Sequence, residues 1–295
     1  MKKTKIILLI ALPVIIVLGL LIVFLNSHSV PVLEPAGIIA QREKHLFVVA
    51  LLLAAIVVIP VYGLTIMIAV RYREGNRQAK YQPDWDHSRV LETFWWGIPM
   101  AIILVLSVIT WRSSYALNPY KPIASIKPTL NIEVVSLNWK WLFIYPQQGV
   151  AVVNQLDLPI NTPVHFYLTS DTVMNSLWIP ALSGQIYAMP GMTTQLNIEA
   201  NKLGSFYGSS ANISGAGFAG MHFQTISMTL TSFNNWLAMV QHSSQSLSTL
   251  NFIKLAKPSQ YNPVAYYNHP VKGLFTAIVN QYMIPGATIT KGVKG

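Results

Sequence analysis

The sequence contains no cysteine, and only ten of its 295 residues are acidic. The missing thiols exclude disulfides, thiolate nucleophiles, thiolate metal sites and a lipid-modified cysteine. Charged residues make up 10% of the chain, whereas 52% of it is hydrophobic. This combination is typical of a protein that is partly embedded in a membrane and argues against a soluble enzyme.

The net charge of +10 could indicate a nucleic-acid-binding protein, but the basic residues are arranged differently. They cluster at the N-terminus and in one short loop between apolar runs, and the others are scattered. The clustered ones are Lys2, Lys3, Lys5, Arg71, Arg73, Arg77, Lys80 and Arg89. No basic stripe interleaved with aromatic residues is present, so we expect no nucleic-acid partner.

An unbroken apolar run, residues 6–25, follows the basic start of the chain. The segment of residues 1–28 is therefore either a signal peptide or an N-terminal anchor helix. The run exceeds the usual apolar region of a signal peptide, about 7–15 residues, and approaches the length of a spanning helix. Small polar residues near Ser27 and Ser29 offer a cleavage site, so both alternatives stay open.

Two further apolar runs, residues 46–70 and 94–111, contain no charged residue and are predicted to cross a membrane as a two-helix hairpin. The connecting loop, residues 71–92, carries five Lys or Arg, against two in front of the first run. The loop should therefore face the cytoplasm, and everything after Trp111 should lie outside.

The part from residue 125 to 231 consists of short runs rich in Val, Ile, Thr and aromatic residues, separated by Pro, Gly and Asn-Thr turns. Such spacing predicts an all-β sandwich or barrel. The predicted strands are residues 131–137, 139–145, 163–169, 193–199, 205–207 and 222–230. Residues 232–290 then form a predicted helical extension, because apolar residues recur there at helical spacing from Phe233 to Val240 and from Val271 to Tyr282.

A glycine-rich stretch between two of the predicted strands, residues 206–221, has the form of a metal-binding loop without metal-binding side chains. The positions where soft ligands could lie hold Ser210, Ser214 and Phe218, and Met221 alone remains as a conceivable ligand. The seven histidines show no paired metal spacing. His222, next to Met221, should point to the opposite face of its strand.

The chain resembles subunit II of heme–copper respiratory oxidases, and in particular that of the cytochrome bo-type quinol oxidases. The matching motifs are AKYQPDW (residues 79–85), WKWLFIYP (139–146), VMNS (173–176), QIYAMPGM (185–192) and SGAGFAGM (214–221). The resemblance implies a membrane helical hairpin followed by a cupredoxin-like Greek-key sandwich. Family members commonly carry a lipidated cysteine after the signal sequence, which this chain lacks.

In copper-binding members of this superfamily the sandwich holds a dinuclear copper centre. Its ligands are an upstream His, then Cys-x3-Cys-x3-His-x2-Met, with a Glu carbonyl between the cysteines. These positions fall on the following residues here: Asn175, Ser210, Asn212, Ser214, Phe218 and Met221. Since the centre needs bridging thiolates and imidazoles, we expect no copper in this chain.

The resemblance further implies a bacterial inner-membrane complex that pumps protons, oxidises ubiquinol and reduces oxygen to water. Two hemes, one copper and the main quinol site would belong to subunit I, with subunits III and IV as further partners and the β-domain on the periplasmic side. This chain would have no catalytic residue or cofactor of its own. Whether menaquinol could replace ubiquinol, which heme types are present and how many subunits assemble stay open.

A charge argument bears on the electron donor. From Arg112 onward four acidic residues (Glu133, Asp157, Asp171 and Glu199) stand against ten Lys or Arg, whereas docking of a basic cytochrome c requires an acidic surface. We therefore expect lipid-soluble quinol and no cytochrome c. Two alternatives are a cytochrome c oxidase subunit II that binds copper and a stand-alone, membrane-anchored cupredoxin-like binding protein.

Glu92 lies at the cytoplasmic end of the second predicted span and has two interpretations. It is either a solvated interfacial residue or, as the resemblance implies, the entrance of the proton pathway that leads through the lysine channel of subunit I.

Trp139 and Trp141 match the aromatic segment that relays electrons into copper in cytochrome c oxidases. Without copper we expect them to serve packing and contact with subunit I.

Overall fold

The computed structural model describes residues 30–73 and 84–289, together with residues 19, 23, 27, 76 and 79. The predicted signal or anchor segment, residues 1–28, and the middle of the predicted cytoplasmic loop lie outside these residues, apart from the isolated positions. The chain divides into two compact units. One contains His45–Leu117, and the other contains Pro31–Lys44 and the chain from Asn118 onward.

Two helices, α1 (Ile38–Arg71) and α2 (Arg89–Ala116), are long and apolar enough to cross a membrane. Both are longer than their apolar runs, because polar turns extend them beyond the expected spans. Ser88 caps the start of α2, where its hydroxyl oxygen accepts a hydrogen bond from the Leu91 N–H. Such a cap satisfies one of the backbone donors that a helix leaves unpaired at its N-terminus.

The rest of the described chain is a β-sandwich with three short helices. Its strands are β1 (Leu130–Leu137), β2 (Lys140–Tyr145), β3 (Val150–Val153), β4 (Gln155–Pro159), β5 (Val164–Ser170), β6 (Asn175–Trp178), β7 (Gln185–Ala188), β8 (Thr194–Ile198), β9 (Gly204–Ser210), β10 (His222–Met228) and β11 (Ala265–Asn268). The helices are α3 (Leu230–Gln241), α4 (Thr249–Ala256) and α5 (Leu274–Met283). The predicted fold class is confirmed.

The strands form two sheets. One has the order β11-β3-β2-β1-β5-β8, and the other has the order β4-β10-β9-β6-β7. Pairing is antiparallel except between β1 and β5 and between β4 and β10, which run parallel. Crossing connections of this kind let strands that are distant in the sequence meet at one end of the sandwich, as β6 and β9 do.

The six-stranded sheet is buried on both faces. Its inner face packs Trp141, Phe143 and Tyr145 of β2 against the other sheet, where Phe143 and Phe223 lie 5.0 Å apart between ring centroids. Its outer face carries Leu142 and Ile144 in a second core with the C-terminal helices. This double burial explains why β2 reads as one continuous apolar run rather than an alternating pattern.

A segment in front of the first apolar run also belongs to the β-rich unit, which the sequence did not predict. The Ala36 N–H donates to the Ala181 carbonyl at 2.7 Å, and the Asn201 N–H donates to the Ala36 carbonyl at 2.8 Å. The Glu43 carboxylate accepts from the Gly184 N–H at 3.0 Å. Residues 31–44 are therefore held along the loops that follow β6 and β8.

Candidate functional site

The candidate site is the loop between β9 and β10, at the end of the five-stranded sheet where β6 begins. The strands close around it through backbone hydrogen bonds: the Ser210 N–H donates to the Met221 carbonyl at 3.1 Å, and the Ala211 N–H donates to the Ser176 carbonyl at 2.9 Å. A short 3-10 turn, Phe218–Gly220, leads into β10. The fold thus brings the upstream position, Asn175, next to a loop that begins 35 residues later.

Ser210 and Asn175 are joined directly. Both residues are buried, and the Ser210 hydroxyl donates to Asn175 Oδ1 at 3.0 Å. The Asn212 N–H donates back to Ser210 Oγ at 3.4 Å, and the Asn212 side-chain amide donates to the Met174 carbonyl at 3.4 Å. These three of the six predicted positions form one connected polar network.

The remaining three positions lie nearby but are not part of that network. The Ser214 hydroxyl lies 4.0 Å from the sulfur of Met221, and Met221 is buried. Phe218 begins the 3-10 turn and is half-buried. His222 is exposed whereas Met221 is buried, so their side chains diverge, as the alternation of a strand predicts.

This set of donors does not fit a dinuclear copper centre. Hydroxyl groups and a carboxamide are hard, neutral donors, phenylalanine has no lone pair, and Met221 alone offers a soft ligand. The hydroxyl of Ser210 is moreover engaged with Asn175. Among the residues that the structure describes, no group of three or more His, Cys, Asp or Glu could hold a metal ion.

From the sequence, Trp139 and Trp141 are expected to serve packing and contact with subunit I, and no role is expected for Lys140 between them. The Trp139 indole N–H donates to the Ser214 carbonyl at 3.1 Å, so this tryptophan holds the loop directly. Lys140 is almost fully buried, and its ammonium group donates to the carbonyls of Leu255 and Lys257 at 2.7 and 2.9 Å. Trp141 is completely buried and serves packing. The glycines opposite Trp139 were the signal that could have indicated its contact.

None of the four carboxylates between residues 118 and 289 of the β-rich unit is exposed. Asp157 is fully buried, and Glu133, Asp171 and Glu199 are half-buried. Burial raises the pKa of Asp157 and that of Asp171 to about 6, because the low dielectric disfavours the charged form. Burial also raises the pKa of Glu133. Between residues 118 and 289 the exposed Lys, Arg, Asp and Glu side chains are therefore all lysines, whereas the segment 31–44 of the same unit carries an exposed carboxylate, Glu34.

Glu92 lies in the first turn of α2, four residues after its cap, and its side chain is exposed. A carboxylate in this position interacts favourably with the positive end of the helix dipole. That interaction accounts for a glutamate here without any further role. Glu92 is not part of the loop site described above.

Comparisons with known proteins find two matching family models and several similar proteins. The family described as "Cytochrome C oxidase subunit II, periplasmic domain" matches residues 111–227, and the "COX Aromatic Rich Motif" matches residues 241–286. The chain is 46% identical over 265 residues to a cytochrome bo(3) ubiquinol oxidase subunit 2 of Pseudomonas putida, covering 90% of this chain and 84% of that relative.

Two further relatives extend the comparison. A ubiquinol oxidase subunit 2 of Acetobacter aceti is 47% identical over 261 residues, which are 88% of this chain and 84% of the relative. A quinol oxidase subunit 2 of Bacillus cereus is 35% identical over 253 residues, which are 84% of this chain and 87% of the relative. The matches extend over both the helical and the β-rich units.

Proposed function

This chain belongs to the family of cytochrome bo-type ubiquinol oxidase subunits II, and we propose that it serves as subunit II of a proton-pumping terminal oxidase that takes electrons from ubiquinol and reduces oxygen to water. One observation carries the proposal. The positions of the copper ligands lie together at one end of the sandwich, but they hold side chains that engage one another and cannot form the copper centre. A subunit without that centre suits a lipid-soluble donor.

The charge distribution supports the same electron donor. No carboxylate between residues 118 and 289 is exposed, whereas six lysines are (Lys121, Lys127, Lys202, Lys254, Lys257 and Lys272). A basic cytochrome c would meet like charge on this surface, and like charges slow association and weaken binding. Quinol approaches through the membrane and needs no acidic patch.

The chemistry of the complex belongs, in this proposal, to subunit I, which would carry two hemes and one copper. This chain would contribute the helical hairpin that packs on subunit I and the external cap, without a catalytic residue of its own. Subunits III and IV would complete the assembly. The four segments 1–28, 46–111, 125–231 and 232–290 are our proposal for its domain organisation.

The proposed location is the bacterial inner membrane, with both helices spanning it and the β-rich unit on the periplasmic side. The length and hydropathy of α1 and α2 support this placement. So does the basic loop between them, which favours the cytoplasmic side.

The test of the proposal is to purify the complete chain through an affinity tag from its own membranes in mild detergent. We expect a polytopic subunit to co-purify and to show a heme absorption spectrum, together with ubiquinol oxidase activity. A solitary, heme-free chain would contradict the proposal and favour the stand-alone cupredoxin. Copper in the purified chain itself would favour the cytochrome c oxidase alternative.

Glu92 is our candidate for the entrance of a proton pathway into subunit I. Its side chain is exposed in the first turn of α2, at the end of the helix next to the basic loop that should face the cytoplasm. In the assembled oxidase, Glu92→Gln should lower turnover and proton uptake. Asp84→Asn is the matched control, because Asp84 is an exposed carboxylate of the same loop. Equal turnover in the two variants would refute the role of Glu92.

A further inference from the structure

Two aromatic residues that face the candidate loop have left-handed backbone conformations. Trp139 has a φ angle of 59° and Tyr261 has one of 51°. Bulky residues rarely adopt this conformation because of steric repulsion, and it persists only where surrounding contacts hold it in place. Both residues therefore need contacts that offset the local strain, and both find them at the loop.

Trp139 contacts the first half of the loop. Its indole N–H bonds to the Ser214 carbonyl at 3.1 Å. A Cβ atom placed on Gly215 would lie 3.4 Å from the indole ring, and one placed on Gly217 would overlap it. The ring therefore lies flat against a stretch of backbone that must be glycine for this approach.

Tyr261 contacts the second half of the loop. A Cβ atom on Gly220 would lie 2.8 Å from the Tyr261 ring, so the ring is seated directly on that glycine. The tyrosine is otherwise 68% exposed and comes from the aromatic-rich C-terminal segment, residues 241–286. The segment, which also supplies strand β11 of the six-stranded sheet, thus contacts the loop that follows β9.

The same C-terminal segment also anchors the turn that carries Trp139. The Asn138 side-chain amide donates to the Ala256 carbonyl at 3.3 Å. The Lys140 ammonium group donates to two carbonyls at the end of α4 and to the Ser259 hydroxyl at 2.6 Å. A cation at the C-terminus of a helix also interacts favourably with the helix dipole.

We infer that the aromatic-rich C-terminal segment holds the copper-free loop in a fixed conformation, directly through Tyr261 and indirectly through Trp139, whose turn it anchors by way of Asn138 and Lys140. The segment thereby links the loop to the turn between β1 and β2 of the six-stranded sheet. A loop of glycines and small residues has large conformational entropy when free, so these contacts determine whether it keeps one shape. This assigns a function to the segment that goes beyond the proposed role of the chain.

The test is amide hydrogen exchange on the complete chain in detergent, comparing Tyr261→Gly with the unmodified protein. Glycine relieves the backbone strain and removes the ring, and position 261 lies outside both cores. We expect exchange in residues 211–221 to accelerate by about tenfold, since opening of a local unit depends on few contacts. Exchange in β1 and β2 should stay unchanged.

His269→Gly is the matched control. His269 also has a positive φ angle, 43°, is exposed and lies in the same segment, but its backbone bonds to Gly149 rather than to the loop. In the His269→Gly variant, amide exchange in residues 211–221 should equal that of the unmodified protein.

A second variant tests the contact of Trp139. Trp139→Phe retains a ring but removes the hydrogen bond to the Ser214 carbonyl, and it should accelerate exchange in the same residues. Unchanged loop exchange in both Tyr261→Gly and Trp139→Phe would overturn the inference.

Discussion

Ser210 occupies a position where copper-binding relatives need a thiolate, and here its hydroxyl group is used for structure. It donates to the buried Asn175 Oδ1 and accepts from the Asn212 N–H. Buried polar groups are stable only when they form hydrogen bonds. Asn175 and Ser210, which occupy the positions of a histidine and a cysteine ligand, satisfy one another in this way. The loss of ligands therefore leaves no unpaired polar group at this contact.

Replacing Ser210 by alanine should lower the free energy of unfolding by about 1–3 kcal/mol, because Asn175 Oδ1 would remain buried without a donor. The measurement is urea unfolding of the complete chain in detergent, followed by near-ultraviolet circular dichroism. Ser209→Ala is the control, since Ser209 lies next in the same strand and is not buried. Equal stability of the two variants would contradict this role of Ser210.

Asp157 determines part of the pH dependence of stability. It is fully buried, Gln155 donates to its Oδ2 at 2.8 Å, and its Oδ1 has no partner among the described residues. Its pKa rises from 3.8 to about 6, so the folded state binds the proton more tightly than the unfolded state. The free energy of unfolding should therefore fall as pH rises from about 4 to about 6 and stay level above.

Asp157→Asn removes the charge and should raise stability above pH 6 by at most about 3 kcal/mol, since one pKa unit corresponds to about 1.4 kcal/mol. Below pH 4 the gain should disappear. Unfolding measured from pH 4 to pH 8 tests both statements. Asp171, with a similarly raised pKa, keeps its own share of the pH dependence in the variant. If Asp157→Asn raised the free energy of unfolding only at low pH, the raised pKa of Asp157 would be contradicted.

At the scale of elements, the end of the C-terminal helix α5 makes its polar contacts with one residue, Asp171, directly after β5. The Tyr282 hydroxyl donates to the Asp171 carbonyl at 2.7 Å, and the Gln281 side-chain amide donates to the Asp171 carboxylate. The apolar face of α5, with Leu274, Phe275 and Ile278, completes the second core. Polar contacts thus fix the end of a helix whose middle is held by burial.

Tyr282→Phe should therefore loosen the end of α5 without unfolding it. Losing one hydrogen bond costs about 1 kcal/mol, and we expect faster amide exchange in the last turn only. Tyr187→Phe serves as the control, because Tyr187 is similarly exposed, 45% against 48%. Faster exchange throughout the second core would indicate that the bond does more than fix the helix end.

The sequence predicted the elements whose pattern is strong and missed those that depend on partners elsewhere. The long apolar runs of α1, α2 and β2 were recognised, whereas β6 begins with buried Asn175 and Ser176, which look like a loop. Helix α4 has only eight residues and is capped by Lys140 from a distant strand. The positions of the candidate site followed from a motif, but the contact of Trp139 with the loop depends on a left-handed turn that no local pattern indicated.

At the scale of the whole molecule, the part of the β-rich unit from residue 118 to residue 289 presents charges of one sign. Between residues 118 and 289 the chain has seven lysines and four carboxylates; only Lys140 among the lysines is buried, and none of the carboxylates is exposed. Burial raises the pKa of three of the four, because it disfavours the charged form of the carboxyl group. The exposed lysines make the surface of residues 118–289 positive, and such a surface favours anionic over cationic partners.

This surface should fail to bind a basic cytochrome c at any ionic strength. Steering by opposite charge is strongest at low salt, where the Debye length is about 30 Å at 0.01 M, so binding is best sought there. We expect no association of the purified complex with immobilised cytochrome c at low salt, whereas a copper-binding cytochrome c oxidase run in parallel should bind and dissociate as salt is added. Salt-sensitive binding by this complex would show that another subunit supplies an acidic surface, and it would remove the charge argument for quinol as the donor.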